Sequence, residues 1–245
     1  MKKWSLFSFF LLFIFFVRAQ APFFSTIRIE YEKVTNVHAQ YRDMDPEWFE
    51  RIKDRLPVTV TTYHEFIGDS THSIYKPGKE AAIDPRSWYR PVADKNVVYT
   101  DYKTGKTISQ KPIYEETFLV DDSFLNIKWK LTADTRMIAG YECRKAVGIL
   151  YDSITIFAFY ADELMVNGGP EGIHGLPGMI LGMAIPRLHS TWFATKVEVN
   201  DVKLNAVAPA NKGKKVSRKD MIQSLDKVLR QWGNYGSKLI INYLI

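Results

Sequence analysis

Residues 142–160 read ECRKAVGILYDSITIFAFY. Two runs rich in β-branched and aromatic residues, 142–150 and 154–160, meet at Tyr151-Asp152-Ser153. Such runs around a short polar break predict a β-hairpin. The second run is almost wholly apolar, which predicts a central strand covered on both faces. This hairpin sets the class of the fold, and the flanking sequence repeats its pattern.

Downstream lies GGPEGIHGLPGMILG, residues 168–182. Its glycines and prolines read as turn chemistry. Leu176-Pro177-Gly178-Met179 predicts a type II turn, with proline fixing φ at the second position and glycine accepting positive φ at the third. Gly168-Gly169-Pro170 and Glu171-Gly172 supply a second bend, and the apolar residues from Met179 enter a strand. Two adjoining bends suit a loop folding over a sheet edge or barrel mouth. The stretch lacks the G-x-x-x-x-G-K-[ST] arrangement, and no helical pattern follows it, so it is neither a phosphate loop nor a dinucleotide fingerprint. H-E-x-x-H and G-x-S-x-G occur nowhere in the chain.

Further strands are predicted over 25–33, where Ile27, Ile29 and Tyr31 share one face, and over 58–66, 73–75, 97–102, 107–110, 118–120, 127–131, 179–185 and 191–199. Gly105 bends the hairpin between the fourth and fifth of these. A helix is predicted near 45–56: Asp45 caps it, Pro46 suits its first position, Trp48, Phe49, Ile52 and Leu56 form its apolar face, and Pro57 stops it. After a linker-like 206–215, Ser217 opens a second helix, with Asp220 as partner in a partial capping box. Its stripe runs through Met221, Ile222, Leu225, Val228, Leu229 and Trp232. The expected architecture is mainly β: an antiparallel sheet or partly open barrel built from hairpins, with one helix in the N-terminal half and one C-terminal helix packed on it.

The chain opens MKKWSLFSFFLLFIFFVRAQ. A basic start, a short apolar run and VRA before Gln20 form a secretory signal peptide over 1–19. Three domains of sequence follow from this reading: 1–19 as signal, 20–201 as the β domain, and 202–245 as a basic linker and amphipathic helix. No other segment is long and apolar enough to span a membrane. Removing 1–19 takes three of 33 basic residues and leaves +3, of which the segment from Val202 carries +7 and the preceding body −4. A basic tail on an exported chain reads as a solvated face, so no nucleic-acid partner is expected. Cys143, the sole cysteine, permits no intramolecular disulfide and reads as a buried small hydrophobe.

His174 is the residue whose chemistry is open. With Glu163 or Cys143 it would make an acid–base or thiol site. With His189 and Met179 or Met183 it would make a soft metal site. As a structural residue, its imidazole bonds loop backbone. Asp162 and Glu163 are neighbours on a strand end, so their side chains point to opposite faces.

These residues carry a family likeness. HGLPGMIL resembles the G-L-P-G-L-I segment that defines the GLPGLI family of exported Gram-negative proteins. WKLTADTRMIAGYECRKA (129–146) and FYADELMVNGGPEGIHGLPG (159–178) resemble its flanking segments. Met179 stands where the family usually has leucine, and Met165 where proline is expected. The resemblance covers about 129–199. It implies export and a β-rich fold. It implies that Tyr141, Cys143, Tyr160, Glu163 and the glycine-rich positions form one structural unit, and it supplies no catalytic residues.

Two functions follow. One is an exported, envelope-associated binding or accessory protein, non-enzymatic and without a cofactor, located in the periplasm or at the outer membrane. It would hold an apolar ligand or an envelope protein at Tyr160, His174, Pro177 and Gly178. The other is a hydrolase or a thiol- or metal-dependent enzyme using His174 with Glu163 or Cys143, or His174 with His189.

Overall fold

A computed structural model describes residues 26–84 and 89–245, with Asn234, Tyr235 and Ser237 described in backbone alone. The signal segment 1–19 lies outside the described residues. β1 (Ile27–Asn36) runs directly into α1 (Val37–Met44) and α2 (Pro46–Ile52). Then come β2 (Thr59–Gly68), β3 (His72–Pro77), β4 (Val97–Asp101), β5 (Lys106–Ile113) and β6 (Glu116–Ser123). β7 (Lys128–Ile138), β8 (Tyr141–Leu150), β9 (Ile154–Ala161), β10 (Met179–Ile185) and β11 (Ser190–Val199) complete the main strands. The tail forms β12 (Lys214–Val216), α3 (Arg218–Leu229), α4 (Gly233–Leu239) and α5 (Ile241–Leu244).

All twelve strands make one sheet, in the order β12-β6-β5-β4-β3-β2-β1-β11-β10-β9-β8-β7. The short β12–β6 pairing is parallel and the others are antiparallel. β2 to β6 form one meander and β7 to β11 another, with β1 zipped between β2 and β11. β6 and β7 stand towards opposite edges, yet only residues 124–127 connect them. Five steps of extended chain reach about 18 Å. The open sheet is therefore curled until its edges approach, and Leu125 and Ile127 of the connection pack on the main core.

The hairpin of residues 142–160 forms as β8 and β9 around a tight turn in which Tyr151 and Asp152 both take positive φ. The expected enclosure shifts by one strand. β9 lies third from the sheet edge and alternates buried with half-buried residues, whereas β10 is buried at six of its seven positions. Phe157 and Phe159 lie under Lys145 and Arg136, whose aliphatic stems and charges roof that face.

The predicted helix near 45–56 is α2 followed by a 3-10 turn, and Asp45 accepts a hydrogen bond from Trp48 N at 2.9 Å. α1 was not expected. Its buried Val37, Tyr41 and Met44 fall at i, i+4 and i+7, but eight residues carry too little of that period to stand out beside a long strand. The C-terminal segment makes three helices rather than one. Ser217 caps α3 by accepting from Asp220 N at 3.1 Å. Met221, Leu225 and Leu229 are buried against Ile113, Phe118 and Val120 of β5 and β6.

Candidate functional site

The glycine-rich loop runs inside the curl. Gly168 lies so close to Phe66 that a Cβ there would sit 2.8 Å from the ring, and a Cβ on Gly178 would strike the Ala161 carbonyl oxygen. The expected type II turn is replaced by a tighter one. Gly178 N donates to Leu176 O at 2.8 Å, closing a three-residue turn on Pro177, and Met179 N donates to Leu164 O instead. Across this path Glu171 takes φ 56° and carries its carboxylate into the interior.

The expected site residues fall into separate surroundings. His174 Nδ1 donates to Gly172 O at 3.0 Å, and the ring packs on Phe124 at 4.0 Å between ring centres. Burial lowers its pKa, and the Gly172 carbonyl partly opposes that. Its own carbonyl accepts from Trp129 Nε1 at 3.0 Å. Cys143 is enclosed, and burial, reinforced by Glu163, pushes its thiol up to about 12. Glu163 is exposed beside it, Tyr160 is buried, Pro177 is exposed and Gly178 is buried. His189 lies past the opposite end of β10 from His174, and seven residues of strand separate those ends by roughly 20 Å. Thus Glu163 and Cys143 are neighbours, while His174 and His189 are not brought together. Among the described residues no group of three or more His, Cys, Asp or Glu gathers at metal-binding distance.

Sequence reasoning missed a buried polar cluster around Glu171. Lys33 Nζ lies 3.9 Å from Glu171 Oε1, and Asn96 Nδ2 donates to Glu171 Oε2 at 3.1 Å. Lys111 donates to Ile245 O at 2.7 Å and Tyr243 O at 3.3 Å, and burial lowers its pKa to about 8. Burial, with Lys33 near, lowers His64 to about 3. The signal was legible in part: Lys33 and Lys111 hold strand positions in phase with buried neighbours. The void against Glu171 and Lys111 measures about 20 Å³, room for about one water. It is too small for an organic ligand.

A far larger cleft, about 920 Å³, opens where four chain segments converge. The end of α1 contributes Arg42 and Asp43, the β8–β9 turn Tyr151 and Ser153, the β10–β11 turn Arg187 and His189, and α4 with α5 Lys238 and Asn242. Ile154, Ile241 and Leu244 make it partly apolar. His189 and Tyr151 both hold left-handed backbone, a strain that concentrates at binding sites. His189 Nε2 lies 2.7 Å from Asp43 Oδ2, tying the β10–β11 turn to α1. Gln40 Nε2 donates to Asn242 Oδ1 at 2.8 Å, fixing α1 against α5. Lys238 donates to Asp43 O at 2.7 Å and Met44 O at 3.2 Å, neutralising the open carbonyls at the end of α1. The cleft is thus braced by three hydrogen-bonded contacts and lined by groups able to hydrogen-bond a polar ligand over an aliphatic surface.

The fold is that of a curled, open antiparallel domain with a charged cleft at one end. Residues 93–226 match the family described as N-glycanase peptide, N-terminal domain, over more than half of the chain. The chain belongs to this family of PNGase F-II N-terminal domains. It is similar in fold to two solved structures of PNGF-II, one in space group P21 and one in C2. Each shares 19% identity at a TM-score of 0.52, over 81% of this chain and 33% of that one. The chain therefore spans about a third of the length of those structures. No curated protein matches it. The matched region includes Tyr151, Ser153, Arg187 and His189, while Arg42 and Asp43 lie before it.

Among the described residues no helix is long and apolar enough to cross a membrane.

Proposed function

We propose that the chain is an exported, non-catalytic accessory domain that binds carbohydrate and serves a glycan-processing activity located on another polypeptide or domain. The observation that carries this reading is the 920 Å³ cleft, with amide, hydroxyl, imidazole and guanidinium groups around aliphatic surface. That combination suits a sugar, whose hydroxyls need hydrogen bonds and whose C–H faces need apolar contact. Family membership supports a glycan as the ligand class. The signal peptide supports export, and the 129–199 segment supports a grouping with GLPGLI proteins in the periplasm or at the outer membrane.

The test is calorimetric titration of the mature chain with an N-linked glycopeptide and with the same peptide after glycan removal. Binding is expected for the first and not for the second. Ser153→Trp, on the exposed β8–β9 turn, should block the cleft and abolish binding with an unchanged melting temperature. Equal binding of both peptides, or full retention in S153W, rejects the reading.

A further inference from the structure

Charge is distributed unevenly around the cleft. Arg42, Arg187 and Lys238 line it, against the single carboxylate of Asp43. Asp43 is engaged by His189 at 2.7 Å, and Lys238 is engaged by the Asp43 and Met44 carbonyls. The two arginines have no such engagement. Arg42 lies with its guanidinium 5.0 Å from the centre of the Phe49 ring, a contact that leaves its N–H groups open at the edge. Arg187 sits on the exposed 3-10 turn between β10 and β11, and neither arginine has a carboxylate within ion-pair distance among the described residues.

An arginine keeps its charge at any physiological pH, and its planar fork matches a carboxylate or phosphate through paired N–H bonds. The apolar part of the cleft rules against a bare inorganic anion as the natural occupant. The exposed Tyr151 ring and the half-buried Leu244 would then be left facing water beside the bound ion. An acidic group carried on a sugar ring satisfies both surfaces at once.

We propose that the cleft is selective for acidic carbohydrate, with Arg187 and Arg42 receiving a carboxylate or phosphate on the sugar while the ring lies over Tyr151 and Leu244. His189 is a positioning residue in this scheme: its bond to Asp43 engages the one carboxylate in the cleft lining and fixes the turn that carries Arg187. The proposal rests on the carbohydrate-binding reading and narrows it.

The experiment compares three probes by calorimetric titration of the mature chain: a sialylated N-linked oligosaccharide, the same oligosaccharide after removal of sialic acid, and a mannose-6-phosphate-terminated one. At least one acidic probe should bind ten-fold or more tightly than the neutral one, and raising salt should narrow that ratio. Arg187→Ala and Arg42→Ala should each reduce the ratio several-fold, weakening the acidic probe more than the neutral one. Whichever acidic probe binds identifies carboxylate or phosphate as the group. Equal binding of neutral and acidic probes overturns the selectivity and leaves the carbohydrate reading standing. Absence of binding to all three probes overturns both. Because both arginines are exposed, loss of fold does not confound the variants, and an unchanged melting temperature confirms it.

Discussion

The two meanders of the sheet share one apolar core, but one of them buries polar groups as well. β8, β9 and β10 enclose Ala146, Leu150, Ile156, Ala158, Met183 and Ile185. β1 to β5 enclose Lys33, His64, Ser73, Thr100, Ser109 and Lys111. The first half is closed by shape, with the glycine-rich loop pressed against β3, β9 and β10. The second is closed by charge and hydrogen bonding, with Glu171, held by Asn96, beside Lys33, and the carbonyls of Tyr243 and Ile245 accepting from Lys111. Stability should therefore answer to volume and backbone fit in one half and to protonation in the other.

The largest effect is expected where the halves meet. Glu171 rides on the loop of the apolar half and ends beside Lys33 of the polar half. Removing one member of a buried ion pair leaves the other uncompensated, at about 3–5 kcal/mol. Glu171→Ala should cost that much in urea unfolding, and Glu171→Gln less, because its amide keeps a partner in Asn96. A loss under about 1 kcal/mol in the alanine variant would break the link between the halves.

Next comes a purely steric change in the apolar half. Gly178 has φ 155° and abuts the Ala161 carbonyl, so a Cβ must displace backbone rather than a side chain. Gly178→Ala should cost about 3 kcal/mol, at the upper end for overpacking. Thermal unfolding that matches the parent would show that the loop has room, and the contrast with the polar half would fade.

These positions show why the sequence was legible only in part. Hairpin alternation and the Asp45 and Ser217 caps are local, and local patterns reach the reader without the fold. The glycine-rich stretch was legible as turn chemistry because Pro177 and Gly178 constrain φ wherever they stand. Its direction into the interior was not, because Gly168 is required by Phe66, which lies a hundred residues away. Glu171 was read as part of a bend for the same reason: its partners Lys33 and Asn96 come from other strands. The cleft was legible only through His189, since Arg42, Tyr151 and Arg187 converge from segments with no shared spacing.

The polar half should reveal itself through pH. His64 is held near 3 in the fold against 6.5 when exposed, so the unfolded chain binds the proton first. Its contribution is complete above pH 6.5 and is lost as pH falls from there towards 3, by about 2 kcal/mol at pH 5. Lys111 acts in the same sense higher up: with its folded pKa near 8 and its ordinary value 10.5, stability rises with pH between those values. His64→Gln should flatten the acid limb of the stability–pH curve, and Lys111→Met the alkaline rise. An acid limb of unchanged slope in H64Q would place the titration elsewhere.

The smallest effect sharpens the boundary of the polar half's cover. A helical stripe read from spacing counts Val228 with Met221, Leu225 and Leu229, yet Val228 is 49% exposed while Leu229 is fully buried. Adjacent helical residues stand about 100° apart, so the stripe that docks on β5 and β6 is narrower than the run of apolar residues. Val228→Ala gives up little enclosed surface, and alanine favours the helix slightly over valine. The two terms oppose, and the net change should fall within about 0.5 kcal/mol of zero. Denaturant midpoints of parent and V228A should coincide within that margin. A loss of 1 kcal/mol or more would mean that α3 is covered on this side in solution, and that the C-terminal segment closes the polar half with more of its surface than α3 now presents to β5 and β6.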